Sequence, residues 1–354
     1  MKIAVLAGDG IGKEVTEQSV KVLHALFSDK DKPEIHFGDI GQSGIDKFND
    51  PLPLPTIELS EHVDAILFGA VGIPGDEKIQ YLMRPGASLL RLRKKLDLFS
   101  NFRPAHLFRE LTDASSMRPE LVENLDLMIL RELTGDIYFG EPRGNIILNN
   151  GRRESFNTMR YNEDEIRRIA IVAFKTARKR SKKVCSVDKA NVLETMQLWR
   201  EVVTEVSMDF PDVELQHLFV DAAVMELMRK PKQFDVIVTG NIFGDILSDA
   251  AAMLTGSIGM LPSASLADGN KGLYEPVHGT APDIAGKNIA NPIASILSLA
   301  MMMDYSFNRP DLSKKIFTAV NKVLESGQRT KDIFRKGLKE VGTREMGDAI
   351  VAAL

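Results

Sequence analysis

Short apolar runs alternate with longer amphipathic stretches along most of the chain. The run KIAVLA at 2–7 precedes a helical pattern from about 11 to 27, and DAILFGAVG at 64–72 precedes a second helical pattern at 87–96. Strand-like runs that alternate with helices of this length are typical of βαβ units around a sheet of parallel strands. The pattern therefore predicts an α/β fold.

The middle of the chain repeats this alternation and is predicted to form a second domain. Its strand-like runs are DLMILREL at 126–133, KVCSVDK at 183–189, VELQHLFVD at 213–221 and FDVIVTG at 234–240. Residues 136–160 break the rhythm, because they combine β-rich pieces with glycine turns and show no helical period. We expect this segment to project as a β arm, a feature that commonly serves dimerisation.

Length and charge narrow the class of protein. The chain has 354 residues, which favours two domains, and its 45 basic and 49 acidic side chains leave a net charge of −4. No dense basic run indicates a nucleic-acid partner, and no apolar run reaches the ~18 residues of a membrane span. The sequence opens on a strand-like run rather than a signal segment. We therefore expect a cytoplasmic protein with neither a nucleic-acid nor a membrane partner.

The single cysteine, Cys185, excludes an intrachain disulfide. It lies in the β-rich run KVCSV, so we expect a buried strand residue. The alternative, a catalytic thiol, needs a base nearby and an exposed, cation-rich setting. The apolar helix pattern at 291–307 contains three consecutive methionines, which we expect to fill the core.

A glycine-rich turn follows the first strand-like run, at AGDGIGKE. Glycines occupy positions 8, 10 and 12, but the G-x-G-x-x-G fingerprint of dinucleotide-binding loops requires a glycine at position 13, where this chain has Lys13. Glycines in such a turn also serve structure alone. The motif by itself therefore does not establish a nucleotide site.

Three arginines stand in unusual places. Arg93 lies in RLRKKLD, Arg103 in NFRPAH, and Arg131 at the end of the apolar run LMILRE, where its charge needs a partner. The planar fork of arginine suits a bidentate grip on a carboxylate. Taken singly, each is more simply explained by a surface ion pair. Together they suggest a dicarboxylate substrate.

A second cluster consists of aspartates. NIFGDILSD places Asp245 and Asp249 four residues apart, on one face of a helix that begins just after a strand-like run, and Asp221 ends the run HLFVD. Neighbouring carboxylates repel each other unless a cation lies between them, and Mg²⁺ or Mn²⁺ takes oxygen ligands of this kind. The alternative is that Asp245 caps a turn and Asp249 is solvated.

Two further side chains are candidates for proton transfer. Lys189 follows the strand-like run KVCSVD, and a lysine near bound cations has a lowered pKa and can act as a base. Tyr138 in GDIYFG offers a phenol that can deliver a proton. A surface lysine and a packing tyrosine are the alternatives.

The loop at 274–292 is rich in glycine and in small side chains. Gly279, Thr280, Pro282 and Gly286 can bring backbone N–H groups close to a phosphate-bearing ligand. Asp283 can hydrogen-bond a ribose 2′-hydroxyl but repels a 2′-phosphate, which favours NAD over NADP. A glycine-rich loop without a ligand is the alternative.

Six motifs, in order and over nearly the whole chain, resemble one family. They are GDGIG, LRKKLDLFSNFRPA, RELTGDIYFG, SVDKANV, NIFGDILSD and EPVHGTAPDIAGKNIANP. The chain is similar to the isocitrate and isopropylmalate dehydrogenases, the β-hydroxyacid oxidative decarboxylases. The resemblance implies a two-domain α/β fold with a mixed sheet, distinct from the Rossmann fold. Residues 1–98 and 256–354 would form the cofactor-side domain, and residues 99–255 a second domain with the dimer interface and an arm at about 136–160.

The resemblance also implies an activity and its residues. It points to NAD-dependent, Mg²⁺- or Mn²⁺-dependent oxidation and decarboxylation of (2R,3S)-3-isopropylmalate to 4-methyl-2-oxopentanoate in leucine biosynthesis. Lys189 would take the hydroxyl proton and Tyr138 would protonate the enolate, with Lys189 and Asp221 supplied by the partner subunit of a homodimer. The arginines that would hold the malate carboxylates are Arg93, Arg103 and Arg131, and the metal ligands would be Asp221, Asp245 and Asp249, with Asp221 also beside the substrate.

Specificity and cofactor contacts follow from the same resemblance. Leu89, Leu90 and Val192 would wrap an alkyl group, and an apolar wall disfavours a third carboxylate. The family commonly has an acidic residue where this chain has about Gly86, a departure that bears on cofactor ordering and substrate range. The predicted cofactor contacts are Ile11, Asn191, Glu275, His278, Gly279, Thr280, Ala281, Pro282, Asp283, Ile284, Ala285, Gly286 and Asn291.

Two alternatives remain open at this stage. One is a related enzyme acting on another substituted malate, such as methylmalate or tartrate, because the size of the alkyl group is not legible in the sequence. The other is a non-catalytic nucleotide-binding homologue, which should have lost part of the arginine, lysine, tyrosine and aspartate set. Every member of that set is present.

Overall fold

A computed structural model describes residues 1–28 and 31–354. The chain divides into two compact units. The first comprises 1–98, 106–124 and 252–354, and the second comprises 99–105 and 125–251. The segment 106–124, which the sequence prediction placed in the second domain, clusters with the first unit instead.

The described residues form fourteen strands and twelve α-helices. The strands are β1 Lys2–Gly8, β2 Glu34–Phe37, β3 Ala65–Ala70, β4 Ser100–His106, β5 Asp126–Glu132, β6 Gly144–Ile147, β7 Arg153–Phe156, β8 Lys183–Asp188, β9 Glu214–Phe219, β10 Val236–Thr239, β11 Pro262–Leu266, β12 Gly272–Pro276, β13 Gln328–Arg329 and β14 Lys339–Glu340. The helices are α1 Gly12–Ala25, α2 Gln42–Phe48, α3 Leu54–His62, α4 Pro85–Lys95, α5 Pro119–Val122, α6 Glu163–Arg178, α7 Glu194–Ser207, α8 Val220–Arg229, α9 Asn241–Ala252, α10 Ile293–Tyr305, α11 Pro310–Glu325 and α12 Thr343–Ala353.

The first unit is built around five adjacent strands in the order β2-β1-β3-β12-β11. Strand β1 runs parallel to β2 and β3, and β12 runs parallel to β3, whereas β11 pairs antiparallel with β12. All six residues of β3 are buried, as expected of a strand covered on both faces. The sheet is therefore mixed, which confirms the predicted fold class.

Helix α10 lies at the centre of the helical layer of the first unit. It packs against α1, α11 and β12, and its residues from Ile293 to Met303 are all buried. A helix that is apolar on every side is stable only inside a core. The methionines of this helix are therefore core residues, as the sequence predicts.

The second unit contains the strand order β4-β5-β10-β8-β9. Strand β10 is parallel to both β5 and β8, and β8 is parallel to β9. Arg131 pairs with Thr239 and Asp188 pairs with Phe219, so the carboxyl ends of these strands meet at one edge. Sites of α/β proteins lie at this edge.

The predicted β arm is an antiparallel hairpin of β6 and β7. Gly144 pairs with Phe156 and Ile147 with Arg153, and the side chains of β6 are all exposed. Its role in dimerisation stays a prediction.

Cys185 is buried in β8, and burial raises the pKa of its thiol to about 12. The residue is therefore not a thiolate at neutral pH, which agrees with the predicted structural role. Across the described ranges, no helix combines the length and the apolar character needed to cross a membrane.

Candidate active site

The end of β5 and the beginning of α9 form one interlocked polar cluster in the second unit. Asp136, just beyond β5, has a positive φ of 72°, a conformation that aspartate tolerates better than most residues. Its carboxylate accepts a hydrogen bond from the Ile242 backbone N–H at 3.0 Å. Gly244 lies against Arg131 so closely that a Cβ would meet the arginine side chain. The helix is thereby held against the strand end.

Asp245 is the centre of this cluster. Its Oδ2 accepts a hydrogen bond from the Tyr138 hydroxyl at 2.9 Å, and its Oδ1 forms ion pairs with Arg131 and, at 3.3 Å, with Arg103. Arg103 also lies 3.6 Å from Asp249. Five predicted site residues are thus brought together.

Neither arginine of the cluster is a surface residue. Arg103 is 7 % exposed and Arg131 is 3 % exposed, so the surface ion pair considered in the sequence analysis does not describe them. Buried guanidinium groups need fixed acceptors. The acceptors here include Ser248, whose hydroxyl lies 2.5 Å from Arg103, and two asparagines, Asn101 and Asn241.

The charges of the cluster shift the pKa values of its members. Burial and the charge of Asp245 together raise the pKa of the Tyr138 phenol above its usual value. Partial burial raises the pKa of Asp249, with a further contribution from Asp245 and an opposing one from Arg103. Tyr138 is therefore a protonated donor at neutral pH.

Lys189 and Asp221 form a separate pair in the same unit. The Lys189 ammonium lies 2.8 Å from the Asp221 carboxylate and 6.0 Å from the centre of the Phe219 ring. The hydrogen bond from Lys189 lowers the pKa of Asp221. Asp221 lies in the first turn of α8, not at the end of a strand as the sequence pattern suggested, because β9 ends at Phe219.

The three predicted metal ligands are not assembled within one chain. Among residues 1–28 and 31–354, no group of three or more histidine, cysteine, aspartate or glutamate side chains is arranged to hold a metal ion. Asp245 and Asp249 share a face of α9, while Asp221 is paired with Lys189. Within the described residues of the single chain, the three aspartates therefore do not form one site.

Arg93 occupies a different setting, in the first unit. It lies near the end of α4 and forms an ion pair with Glu275 of β12, and each side chain is 6 % exposed. Sequence analysis assigned Arg93 to the substrate and Glu275 to the cofactor. It did not predict that the two would be paired.

The predicted apolar pocket residues differ in their surroundings. Leu89 of α4 packs against the core of the first unit, and Leu90 is half-buried. Val192 of the second unit is 61 % exposed. Gly86 is the second residue of the same helix, and a Cβ there would lie 3.8 Å from the Asp76 carboxylate.

The predicted cofactor loop at 277–292 rests on the glycine turn that follows β1. The Ile11 N–H donates to the Thr280 carbonyl at 2.9 Å, and the Gly286 N–H donates to the Glu14 carboxylate. Gly10 has a φ of 52°, and a Cβ there would collide with the Thr280 carbonyl. The glycines of GDGIG therefore serve as a support for the later loop.

Apolar contacts reinforce this support. Ile11, Val15 and Ala290 form a buried cluster. The loop side chains packed against it are Ala281, Ile284 and Ala285. Pro282 and Asp283 are exposed, as is the backbone at Gly279.

The ends of the loop are buried. Asn291 accepts a hydrogen bond from the Ile293 N–H at 2.9 Å and donates to Asp332 at 3.0 Å, so its amide anchors the start of α10. His278 is buried, and burial lowers the pKa of its imidazole. Its Nε2 has no hydrogen-bond partner among the described residues. Asn191, in the turn after Lys189, is exposed.

A family model for isocitrate/isopropylmalate dehydrogenase matches residues 2–350. The chain belongs to this family. A 3-isopropylmalate dehydrogenase of Thiobacillus denitrificans is 59 % identical over all of both chains, and one of Neisseria meningitidis serogroup B is 57 % identical over 99 % of both.

Solved structures of the isocitrate/isopropylmalate dehydrogenase family share the fold. The crystal structure of isocitrate dehydrogenase from Methylococcus capsulatus matches with a TM-score of 0.89 and 32 % identity, covering 99 % of this chain and 98 % of that one. An apo β-decarboxylating dehydrogenase from Thermococcus kodakarensis matches with a TM-score of 0.78 and 33 % identity, covering 99 % and 95 %. The protein is thus an enzyme, a decarboxylating dehydrogenase. Membership of the isocitrate/isopropylmalate dehydrogenase family implies a nucleotide, a divalent metal and a small-molecule substrate.

The structure adds three residues to the candidate site that were not predicted from the sequence. Asn101 and Asn241 contact the two buried arginines, and Ser248 contacts Arg103. Each lies in a motif already singled out, NFRPA or NIFGDILSD. Because their side chains are neutral, they did not stand out from the sequence as the charged residues did.

Proposed function

We propose that this protein oxidises and decarboxylates (2R,3S)-3-isopropylmalate to 4-methyl-2-oxopentanoate with NAD⁺ in the cytoplasm, as a step of leucine biosynthesis. One observation carries the proposal: Tyr138, Arg103 and Arg131 converge on Asp245, in a chain that is 59 % identical to 3-isopropylmalate dehydrogenases. An acid, two buried cations and a carboxylate at one place suit the decarboxylation of a dicarboxylate.

The substrate is a dianion, so its carboxylates need cationic partners. Arg103 and Arg131 are held almost free of solvent, where each charge–charge contact is stronger than in water. Arg93 would supply a third guanidinium, and Glu275 is the group that pairs with it in this structure. Bidentate contacts would fix the orientation of the malate skeleton.

The aspartates fit a hard divalent cation by the chemistry of their donors. Asp245 and Asp249 both lie near one cationic group, Arg103, which shows that a positive charge is accommodated between the two carboxylates. Asp221 of a second subunit would complete the oxygen donors, with retained waters and substrate oxygens filling the remaining positions. When bound, Mg²⁺ or Mn²⁺ would polarise the substrate hydroxyl and keto oxygens, and the nicotinamide would accept hydride from C2.

The chain's own residues would then move the protons. In its neutral amine form, Lys189 would accept the hydroxyl proton at its Nζ as the C2–O bond becomes a carbonyl. Tyr138, a protonated phenol, would donate its proton to the carbon that loses CO₂. Its hydrogen bond to Asp245 holds the hydroxyl beside the predicted metal ligand.

A homodimer is part of the proposal, because Lys189 and Asp221 form their own pair within the chain, apart from Asp245. Large apolar side chains of the second unit are exposed in the single chain, among them Ile147, Val192, Met225 and Ile246. Exposed apolar side chains of this size commonly mark an interface. Burying them between two copies would let the Lys189–Asp221 pair serve the partner's site.

The loop at 277–292 would bind NAD⁺, with Ile11 beside the adenosine. Its exposed Asp283 would accept a hydrogen bond from a ribose 2′-hydroxyl and repel a 2′-phosphate. The apolar residues Leu89, Leu90 and the partner's Val192 would enclose the isopropyl group.

One assay tests the main claims. NADH formation is followed with 3-isopropylmalate, isocitrate, tartrate and methylmalate, each with Mn²⁺ and after treatment with EDTA. We expect 3-isopropylmalate to have the highest kcat/KM and EDTA to abolish turnover until Mn²⁺ is restored. Preference for another malate would contradict the substrate, metal-independent turnover would contradict the aspartate site, and equal kcat/KM with NADP⁺ would contradict the role of Asp283.

A further inference from the structure

Arg103 and Arg131, two buried arginines of the candidate site, are held in the same way. In each, a neutral amide oxygen accepts a hydrogen bond from Nε of the guanidinium group. Arg103 donates from Nε to Asn101 Oδ1 at 2.7 Å. Arg131 donates to Asn241 Oδ1 from Nε at 3.0 Å and from Nη2 at 2.8 Å. In both arginines the Nη1 atom points to Asp245.

We propose that Asn101 and Asn241 are positioning residues, which orient the two guanidinium groups without cancelling their charge, so that their Nη ends meet the substrate carboxylates. This inference rests on the proposed function, since that function makes the arginines the carboxylate-binding groups. The two asparagines are almost fully buried, with exposed fractions of 0 % and 1 %.

The chemical reason lies in the shape of the guanidinium group. Arginine carries five N–H donors in a plane and has no acceptor, so a buried arginine needs acceptors on every edge that the ligand does not use. A carboxylate on the Nε edge would satisfy the donors but would also neutralise the positive charge. An amide oxygen satisfies the same donors without adding a further negative charge to that of Asp245, which already lies beside both arginines.

The Asn241 amide is itself fixed by further contacts. Its Nδ2 donates to the Gly135 carbonyl at 3.2 Å, which directs its Oδ1 toward Arg131. Its backbone N–H donates at 2.9 Å to the Tyr161 hydroxyl, and that hydroxyl donates to Glu132 at 3.0 Å. The Tyr161 ring packs on Trp199. The orientation of Arg131 is therefore set by a chain of buried hydrogen bonds.

The position of Asn241 at the start of a helix makes it possible to test the effect of charge there. Asn241 is the first residue of α9, and negative charge at the start of a helix is favourable for the helix. The isosteric change Asn241→Asp places a carboxylate against Arg131, although it also removes the donor to the Gly135 carbonyl. A rise in the KM for 3-isopropylmalate in a variant that denaturant unfolding shows to be folded would then report on the charge of the arginine.

The experiment compares Asn101→Asp and Asn241→Asp with Asn162→Asp. Asn162 caps α6 in the same unit, through the hydrogen bonds of a capping box with Glu165, and aspartate caps a helix equally well. We expect each of the first two variants to raise the KM for 3-isopropylmalate at least about tenfold, with a smaller fall in kcat and an unchanged KM for NAD⁺. Asn162→Asp should leave all three constants at the wild-type values.

A less disruptive variant tests the proposal if Asn101→Asp and Asn241→Asp unfold the protein. Tyr161→Phe keeps the ring on Trp199 but removes the hydroxyl that anchors Asn241, and should raise the same KM by a smaller factor. Its control is Ser60→Ala, which removes a buried hydroxyl bonded to the Thr56 carbonyl in the first unit and should leave this KM unchanged.

The outcomes separate this inference from the proposed function. A wild-type protein that does not oxidise 3-isopropylmalate overturns the proposed function. In that case the positioning role is tested by calorimetry. The Kd of 3-isopropylmalate in the presence of Mn²⁺ is measured for wild type and variants. Folded aspartate variants with an unchanged KM or Kd, or with a fall in kcat alone, overturn the positioning role.

Discussion

The hydroxyl of Tyr138 donates a hydrogen bond to Oδ2 of Asp245 across 2.9 Å, although the two residues are 107 positions apart in the sequence. The Tyr138 ring also lies 5.5 Å from the Arg131 guanidinium carbon. An acid, a predicted metal ligand and a carboxylate-binding cation are thus in mutual contact. This relationship connects the proton donor to the place where charge would develop in the reaction.

Tyr138→Phe should lower kcat by roughly 10²–10⁴, because the variant keeps the ring but loses the proton donor. The KM for 3-isopropylmalate should change much less, since the arginines remain in place. Steady-state NADH formation measures both constants. A variant with wild-type kcat would remove Tyr138 from the mechanism.

The pH dependence of kcat provides a second test. Burial and Asp245 raise the pKa of the Tyr138 phenol above the ordinary value of 10.0, so the phenol stays protonated through neutral and mildly alkaline pH and deprotonates only above that value. We therefore expect no loss of kcat attributable to Tyr138 below about pH 10. Wild type and Tyr138→Phe should show the same relative profile over this range. An alkaline decline that disappears in the variant would contradict the raised pKa.

Gly10→Ala should disturb the cofactor loop. Gly10 has a φ of 52°, and an added Cβ would collide with the carbonyl of Thr280. The strained backbone and the collision should together lower the free energy of unfolding by about 2–4 kcal/mol and raise the KM for NAD⁺. Denaturant unfolding and steady-state kinetics measure the two effects.

Gly337→Ala is the matched control for this substitution. Gly337 also has a positive φ, 98°, but apart from its chain neighbours no atom of the described residues lies within 4 Å of the position that a Cβ would take. Gly337→Ala should lower the free energy of unfolding by only about 1 kcal/mol, because backbone strain acts alone there, and should leave the KM for NAD⁺ unchanged. Equal effects of the two substitutions on the KM for NAD⁺ would argue against the supporting role of the first glycine turn.

Cys185 should resist alkylation in the native protein. Its thiol is buried, and a pKa of about 12 leaves almost no thiolate at pH 8. Reaction with iodoacetamide should become fast only when denaturant unfolds the protein. The modified fraction, followed by mass spectrometry, should therefore track the unfolding curve, and rapid alkylation in buffer alone would show that the thiol is accessible.

Much of the candidate site was predicted from the sequence, because charged residues within or beside apolar runs are easily recognised. Arg131 at the end of an apolar run and the i,i+4 aspartates after β10 were predicted as candidates from pattern alone. The structure brings Arg131 into contact with Asp245, and it places Arg103 close to both aspartates. Asn101 and Asn241 were not predicted, because a neutral amide beside a charged residue has no signature until its partner is known.

The sequence by itself determined the order of strands and helices, the burial of Cys185 and α10, and the family, because these depend on local periodicity and on motifs that occur in fixed order. Tertiary structure alone decided which polar groups meet. The contacts of Arg131 with Asn241 and of Arg93 with Glu275 span 110 and 182 residues, and such pairings are set by how strands assemble into a sheet. Tertiary structure also decided the role of GDGIG, because only the folded chain shows Gly10 pressed against Thr280 in the predicted cofactor loop.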